Sequence, residues 1–267
     1  MTRFPRSLLL ALFLAPVPVY AAGLPDTGQD ICYSDTAADV VAASNATSIA
    51  GDAGTHPRQD CRYGRDPATA AGALTRVGGG TKGFDYTKIA NNGATLAASA
   101  ALGTAAADWA CTKDNITDLT WEVKTAGSTD LRYAGHEYTW YSSDISTNGG
   151  SAGGTGDSSC NAVSRGSPCN TQAFAAAVNA AALCNFTDWR MPTRRELRTL
   201  HLADGSSPQI DLVYFPNTHQ AEGYWSGSTY SAVPQAAWFV DFSGGYTSGN
   251  GKDDTGFNVR LVRGGPF

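Results

Sequence analysis

Six cysteines stand behind an apolar leader, and this arrangement restricts where and how the chain can fold more than any other feature of the sequence. The leader carries Arg3 and Arg6, then the apolar run Leu8 to Pro16, then Ala21 and Ala22, the charged, apolar and small-residue order of a cleavable secretory signal. Residues 1–22 therefore read as a signal peptide whose apolar part is too short to span a bilayer, and no later stretch reads as a membrane span. Cys32, Cys61, Cys111, Cys160, Cys169 and Cys184 all follow it, and an even set in an exported chain predicts disulfides formed in an oxidising compartment. A secreted, periplasmic or cell-surface protein of bacterial type is expected. Six cysteines allow fifteen connectivities, among which sequence alone does not choose. Locality favours Cys160 with Cys169, and the preferred remainder is Cys32 with Cys61 and Cys111 with Cys184. Zinc is the competing use of cysteine, but the chain has neither a Cys-x-x-Cys nor a His-x-x-x-His pair.

Charge narrows the partners. Lys and Arg number 19 against 24 Asp and Glu, and removing the two leader arginines takes the balance to about −7. Binding a polyanion is driven by clustered cations, so nucleic acid is not expected as a partner. Thirty glycines and two methionines suit a loop-rich exported protein better than a helical one.

Residues 23–105 are rich in Ala, Gly, Thr, Asp and Asn with little apolar period, and read as an irregular N-terminal region held by Cys32 and Cys61. A domain is expected over 106–267. Leu119 to Val123 and Tyr138 to Trp140 alternate as half-buried strands, and Tyr224 to Ser226, Trp238 to Phe242 and Val259 to Arg263 add three more. A helix is predicted over Thr171 to Cys184, capped by Asn170 or Thr171 and burying Phe174, Val178 and Ala181. A second, opened by the capping box Thr193 to Glu196, is predicted to run to about Leu202, with Leu197 and Leu200 buried. The fold class expected is α+β, with antiparallel strands and two helices, loop-rich and stapled by disulfides.

Several of these segments together carry a family resemblance. Asp188-Trp189-Arg190-Met191-Pro192-Thr193 through Leu197, Ile210-Asp211, Tyr214 to Thr218, Tyr224-Trp225-Ser226, Ala237-Trp238 and Val259 to Gly265 occur in order. Over roughly residues 109–265 the chain resembles the Lcl C-terminal domain family. The resemblance implies a fold like that of C-type lectins and of the formylglycine-generating enzyme, in proteins of the bacterial envelope or secreted from it. The namesake is the C-terminal part of a collagen-like adhesin that binds sulfated glycosaminoglycans. This chain has no Gly-x-y repeat, and its acidic balance argues against a sulfated ligand.

The motif around Trp189 gathers Asp188, Arg190, Arg194, Arg195 and Glu196 and invites reading as an active site, but helix initiation by Pro192 and Thr193, the capping box with Glu196, core packing of Trp189 and an ion pair of Arg190 with Asp188 or Asp211 explain it better. Trp225, Trp238 and Arg260 are grouped with them as architecture. The glycine-rich connection Gly244 to Phe257 is the candidate ligand face, since long connections on a rigid sheet carry binding residues. Tyr230, Tyr246, Asn250, Lys252, Asp253 and Asp254 are the candidate binders. Asp253 and Asp254 could add oxygen ligands to a calcium site, and no other cofactor is expected.

The sequence holds no Gly-x-Ser-x-Gly, His-Glu-x-x-His or phosphate loop, and His56, His136, His201 and His219 occur singly. A non-enzymatic binding or adhesion protein is therefore expected, its ligand a carbohydrate, a matrix component or an envelope protein. The alternatives are an accessory subunit of a pilus or surface assembly, and an enzyme that uses Asp188, Glu196 and a histidine.

Overall fold

Aromatic and β-branched runs divided by glycine turns pair here as antiparallel sheets, in a computed structural model that describes residues 26–29, 31–33, 40–42, 60–157, 168–220 and 223–265. The expected leader, residues 1–22, and Cys160 lie outside the described residues. A short two-stranded sheet joins β1 (Ile31–Tyr33) to β2 (Val40–Ala42), and two short helices follow, α1 (Asp60–Tyr63) and α2 (Arg65–Ala70). A four-stranded sheet orders β3 (Tyr86–Ala90), β4 (Trp109–Asp114), β5 (Thr120–Glu122) and β9 (Val262–Arg263). A three-stranded sheet orders β6 (Tyr224–Thr229), β7 (Ala236–Asp241) and β8 (Tyr246–Gly251). With helices α3 (Thr171–Ala180) and α4 (Arg194–Arg198), the architecture is α+β.

The strand expected at Leu119 to Val123 forms as β5, but every residue of it is buried instead of every second one. Its neighbours β4 and β9 cover both edges, and Glu122 and Lys124 enter the interior as a pair, Lys124 Nζ donating to Glu122 Oε1 at 2.7 Å. Arg260, also fully buried, donates to the Glu122 carbonyl at 2.9 Å and to Thr218 Oγ1 at 3.0 Å. Tyr138 to Trp140 makes single bridges, Tyr138 with Phe257 and Thr139 with Asn170, instead of a strand. Of the segment Val259 to Arg263 only the last two residues become strand, and Val262 also exchanges both backbone bonds with Arg190.

The boundary read between residues 105 and 106 falls inside a sheet. Strand β3 pairs with β4 through five partnered residues, Tyr86 with Asp114 to Ala90 with Trp109. Farther upstream, Asp26 accepts from Gly28 N and Arg65 N, while Ala203 N donates to Thr27 O at 2.8 Å. The segment read as irregular thus shares the packing of the domain.

Helix α3 starts where its cap predicts, Asn170 accepting from Ala173 N at 2.8 Å, and it buries Phe174 and Val178. It stops at Ala180, short of the expected Cys184, so Ala181 is an exposed cap and not part of the buried face. The chain then turns back on itself with Ala182, Cys184 and Asn185 at positive φ, which delivers the Cys184 thiol to Cys111. That disulfide, Cys111 to Cys184, joins β4 to the end of the helical segment, as expected. Cys61 and Cys169 are each bonded in a disulfide whose other half lies outside the described side chains. Helix α4 ends at Arg198 and not near Leu202, because Leu202 N leaves the helical pattern to reach Gln209 O at 2.9 Å.

Two aromatic cores result. One gathers Trp140, Phe174, Trp189, Trp225, Phe239 and Phe257 around the disulfide, and the other gathers Tyr86, Trp121, Leu197, Phe215, Tyr224 and Phe242. Burying side chains of this size supplies the main favourable term in such a fold, roughly 1.5–3 kcal/mol for each large apolar residue.

Candidate functional site

Where the cap of α3 meets the segment after Tyr138, four stretches of chain converge on a cleft of about 550 Å³. Trp140 and Trp189 underlie it, and both are locked by their indole N–H groups, Trp140 donating to Ser226 O at 2.8 Å and Trp189 to Leu183 O at 3.0 Å. Asn179 fixes the backbone of Trp189 by accepting from its N at 2.7 Å and donating to its O at 2.9 Å. Thr171 holds Tyr141 in the same way, its hydroxyl taking the Tyr141 N–H and giving its own hydrogen to Tyr141 O, both at 2.9 Å. Ser143 then donates twice to Gln172 Oε1, at 2.8 and 3.0 Å, leaving the amide nitrogen of Gln172 available as a donor.

Met191 and Thr193 form the facing wall, and Gly227 lets β6 run against it. The Gly227 N–H donates to Pro192 O at 2.6 Å, and a Cβ at this position would lie 3.1 Å from that of Met191. Asp144 lies at the exposed mouth, where hydrogen bonds from the Ser146 hydroxyl and amide hold its carboxyl below the usual range. Arg190 also lines the cleft, but both its terminal nitrogens donate to Glu196, at 2.8 and 2.6 Å. Its charge is therefore already met. Burial would raise the pKa of Glu196, and the bonds from Arg190 and Thr193 outweigh it, holding the carboxyl below its ordinary value. What remains to a ligand is a tyrosine ring, a thioether, hydroxyls, one amide and one carboxylate. A smaller cavity of about 310 Å³ lies against Tyr141 and Gln172, reaching Pro168 and Asn170.

The structure disperses the residues singled out as ligand binders. Six of the fourteen residues of the connection Gly244 to Phe257 are strand, β8, which pairs with β7 along its whole length, Asp241 with Tyr246 to Ala236 with Gly251. Tyr246 is half-exposed against Phe239, whereas Tyr230 lies across Gly249 with its ring tilted against that of Trp238, centroids 4.6 Å apart. In the β pleat residues 246 and 249 face opposite ways, so Tyr246 and Tyr230 do not share a surface. Asn250 donates to Asp254 Oδ2 at 2.9 Å, Asp254 Oδ1 accepts from Gly256 N, and Asp253 packs on Gly154. Among the described residues no three His, Cys, Asp or Glu side chains are grouped to hold a metal. Lys252, expected in a ligand loop, is instead buried, its ammonium donating to Asn148 O and Ser151 O.

The architectural group is arranged as read in some places and otherwise in others. Thr193 and Glu196 form the capping box, Pro192 and Trp189 are buried, and Trp225 donates to Tyr138 O at 2.9 Å. Arg190 pairs with Glu196 instead of Asp188 or Asp211. Asp188 turns outward to Arg263 at 2.7 Å, and Asp211 accepts from Thr81 N and Val213 N. Glu196 lies closer because one helical turn brings its carboxylate back over the cap. Trp238 is only partly buried, with the Arg194 guanidinium 4.2 Å above its ring.

Of the residues that shape the cleft, Met191 lies in the Asp188 to Leu197 motif, whereas Tyr141, Asp144 and Gln172 were not singled out. The local signals available were Asn170-Thr171 as a cap facing the Tyr138 to Trp140 segment, and the alternation Asp144, Ser146, Asn148 before Gly149. Among known proteins, no curated protein and no solved structure matches the chain. Residues 110–263, which contain the cleft, match the sequence profile of the Lcl C-terminal domain. That match spans more than half of the chain, which therefore belongs to the Lcl C-terminal domain family.

Proposed function

We propose that this protein is an exported, non-enzymatic carbohydrate-binding module with a C-type-lectin-like fold, and that it takes an uncharged glycan in the cleft between Tyr141, Gln172 and Met191. The observation that carries this reading is the chemistry of the cleft. An aromatic ring and a thioether stand beside hydroxyls, an amide donor and an ionised carboxylate, and the lining guanidinium is neutralised by Glu196. Sugars offer apolar C–H faces to the first kind of group and hydroxyls to the second, whereas a sulfated chain needs unpaired cations. The engagement of Glu196 by three donors also weakens the catalytic alternative, which needs that carboxylate for proton transfer. Export and a lectin-like fold are supported by the leader-like N-terminus, the disulfides and family membership.

The test is a glycan array followed by calorimetry on the disulfide-intact chain. Binding to neutral oligosaccharides, weakened about fivefold or more by Tyr141→Ala and by Gln172→Ala, is the expected result, since one such contact contributes on the order of 1 kcal/mol or more. Binding restricted to sulfated chains, or unaffected by both variants, would overturn it. Recovery of a stable complex with an envelope protein, and no glycan binding, would instead support the accessory-subunit reading.

A further inference from the structure

Lys252 follows β8 directly, and its backbone is fixed on both sides, its N donating to Gln235 O at 2.8 Å and its O accepting from Trp140 N at 2.9 Å. The side chain runs inward and is 1 % exposed. Its ammonium lies 2.8 Å from Asn148 O, 2.7 Å from Ser151 O and 4.2 Å from the centre of the Trp140 ring. Among the described residues it takes part in no ion pair. A buried cation without a carboxylate is costly unless carbonyl oxygens and a ring face replace its water, and here two carbonyls and an indole do so.

The two residues that it grips close a loop whose earlier part, Ser142 to Thr147, forms one wall of the cleft. Asp144, Ser146 and Asn148 alternate before Gly149, the spacing of the first half of a calcium loop. The later half departs from that pattern, since the twelfth position, where a calcium loop has glutamate, is Thr155. Nor do the side chains converge. Asp144 Oδ1 accepts from Ser146 N and Oγ, and Asn148 Oδ1 accepts from Gly150 N. The inward oxygens of the loop are the carbonyls of Asn148 and Ser151, and both meet Lys252.

We infer that Lys252 is the built-in cation of this loop: its ammonium supplies the ordering that a bound metal ion supplies in other oxygen-rich loops, and so positions the Ser142 to Thr147 wall of the cleft. The ring of Trp140 completes the device, because the same indole receives the cation on its face and underlies the cleft. Lys252 is thus a positioning residue. It acts on a ligand through the loop, and the inference holds whatever the ligand is.

Hydrogen exchange of the disulfide-intact chain tests this without a ligand. In Lys252→Ala, peptides covering residues 142–154 are expected to exchange about tenfold faster or more, with β4 and α3 unchanged, because charge-assisted bonds of this kind are the stronger ones. Lys252→Met, which keeps the stem and removes the ammonium, is expected to behave likewise. Adding n-propylammonium to Lys252→Ala should restore slow exchange in that segment, and tetramethylammonium, which has the charge but no N–H, should not. Wild-type exchange there should be the same in calcium and in a chelator. Slower wild-type exchange with calcium would overturn the inference, even if both variants failed to fold. So would unchanged exchange in a folded variant, or equal rescue by both ammonium ions.

Discussion

Replacing Glu196 with glutamine asks whether the most sequence-readable feature of the chain also holds the cleft wall in place. The carboxylate is 1 % exposed and accepts three hydrogen bonds, from Thr193 N at 2.7 Å and from Arg190 Nη1 and Nη2 at 2.8 and 2.6 Å. Glutamine keeps the shape but offers one acceptor oxygen and an NH₂, so at least one of the three donors faces another donor. Charged hydrogen bonds contribute about 1.5–3 kcal/mol each, and a capping interaction adds about 1 kcal/mol. Arg190 is 40 % exposed and recovers part of its loss in water, so the net cost of Glu196→Gln is set at about 2–3 kcal/mol.

Asp188→Asn is the natural comparison, because it removes an equally short ion pair from the surface. Asp188 is 58 % exposed beside Arg263, and pairs of that kind are typically worth about 0–1 kcal/mol. Urea unfolding at pH 7 should therefore separate the two variants clearly, with unchanged slopes. The pH dependence has a fixed sign. Since Glu196 has a folded pKa below its ordinary value, its contribution is present above the unfolded glutamate range and is lost as pH falls through the folded value. The gap between wild type and Glu196→Gln should close on acidification. Equal stability of Glu196→Gln and Asp188→Asn at neutral pH would refute the assignment of Glu196 as the tie of this wall.

Two further perturbations probe the interior. Removing the Cys111 to Cys184 bond as a double alanine variant opens a loop of 73 residues and should cost about 4 kcal/mol by loop entropy; a loss under about 1 kcal/mol by chemical denaturation would show that the bond constrains little. Burial pushes Lys124 down to about 8 against the opposing pull of Glu122, while the unfolded lysine keeps its proton to higher pH. The unfolded chain then binds more protons from about pH 8 toward 10, so stability should rise across that window, and less steeply in Lys124→Met. A slope across that window no steeper in wild type than in Lys124→Met would contradict the burial of Lys124.

What was legible in the sequence had its determinants close together. The capping box needs Thr193 and Glu196, one helical turn apart, and the start of α3 needs Asn170 beside Thr171. Strands β5, β6 and β7 announced themselves by aromatic density. Strand β8 did not, because Tyr246-Thr-Ser-Gly-Asn-Gly251 is turn-like in composition and becomes a strand through the ladder that β7 provides. Strand β3, Tyr86-Thr-Lys-Ile-Ala90, is not turn-like, but it is short and its partner β4 lies beyond a stretch of Ala and Gly.

Charged residues were the hardest to place, and the reason bears on function. Glu122 and Lys252 read as polar positions of a strand and a loop, yet both are buried, as are Lys124 and Arg260. Arg260 meets the Glu122 carbonyl from 138 positions away, and Lys252 meets the Asn148 carbonyl from 104. A residue type sets what a side chain can bond, but only topology sets what it finds, and a lysine that finds two carbonyls and an indole becomes structure. The cleft follows the same rule in reverse. Tyr141, Gln172 and Gly227 are unremarkable in their own segments, and they join Met191 in a candidate site because Thr171 ties the cap of α3 to Tyr141 while Gly227 admits β6 against Pro192. If that convergence makes the site, Thr171→Val, which removes both bonds to Tyr141 at nearly constant volume, should weaken glycan binding as much as losing the tyrosine ring itself; retention of full affinity would place the ligand elsewhere on the molecule.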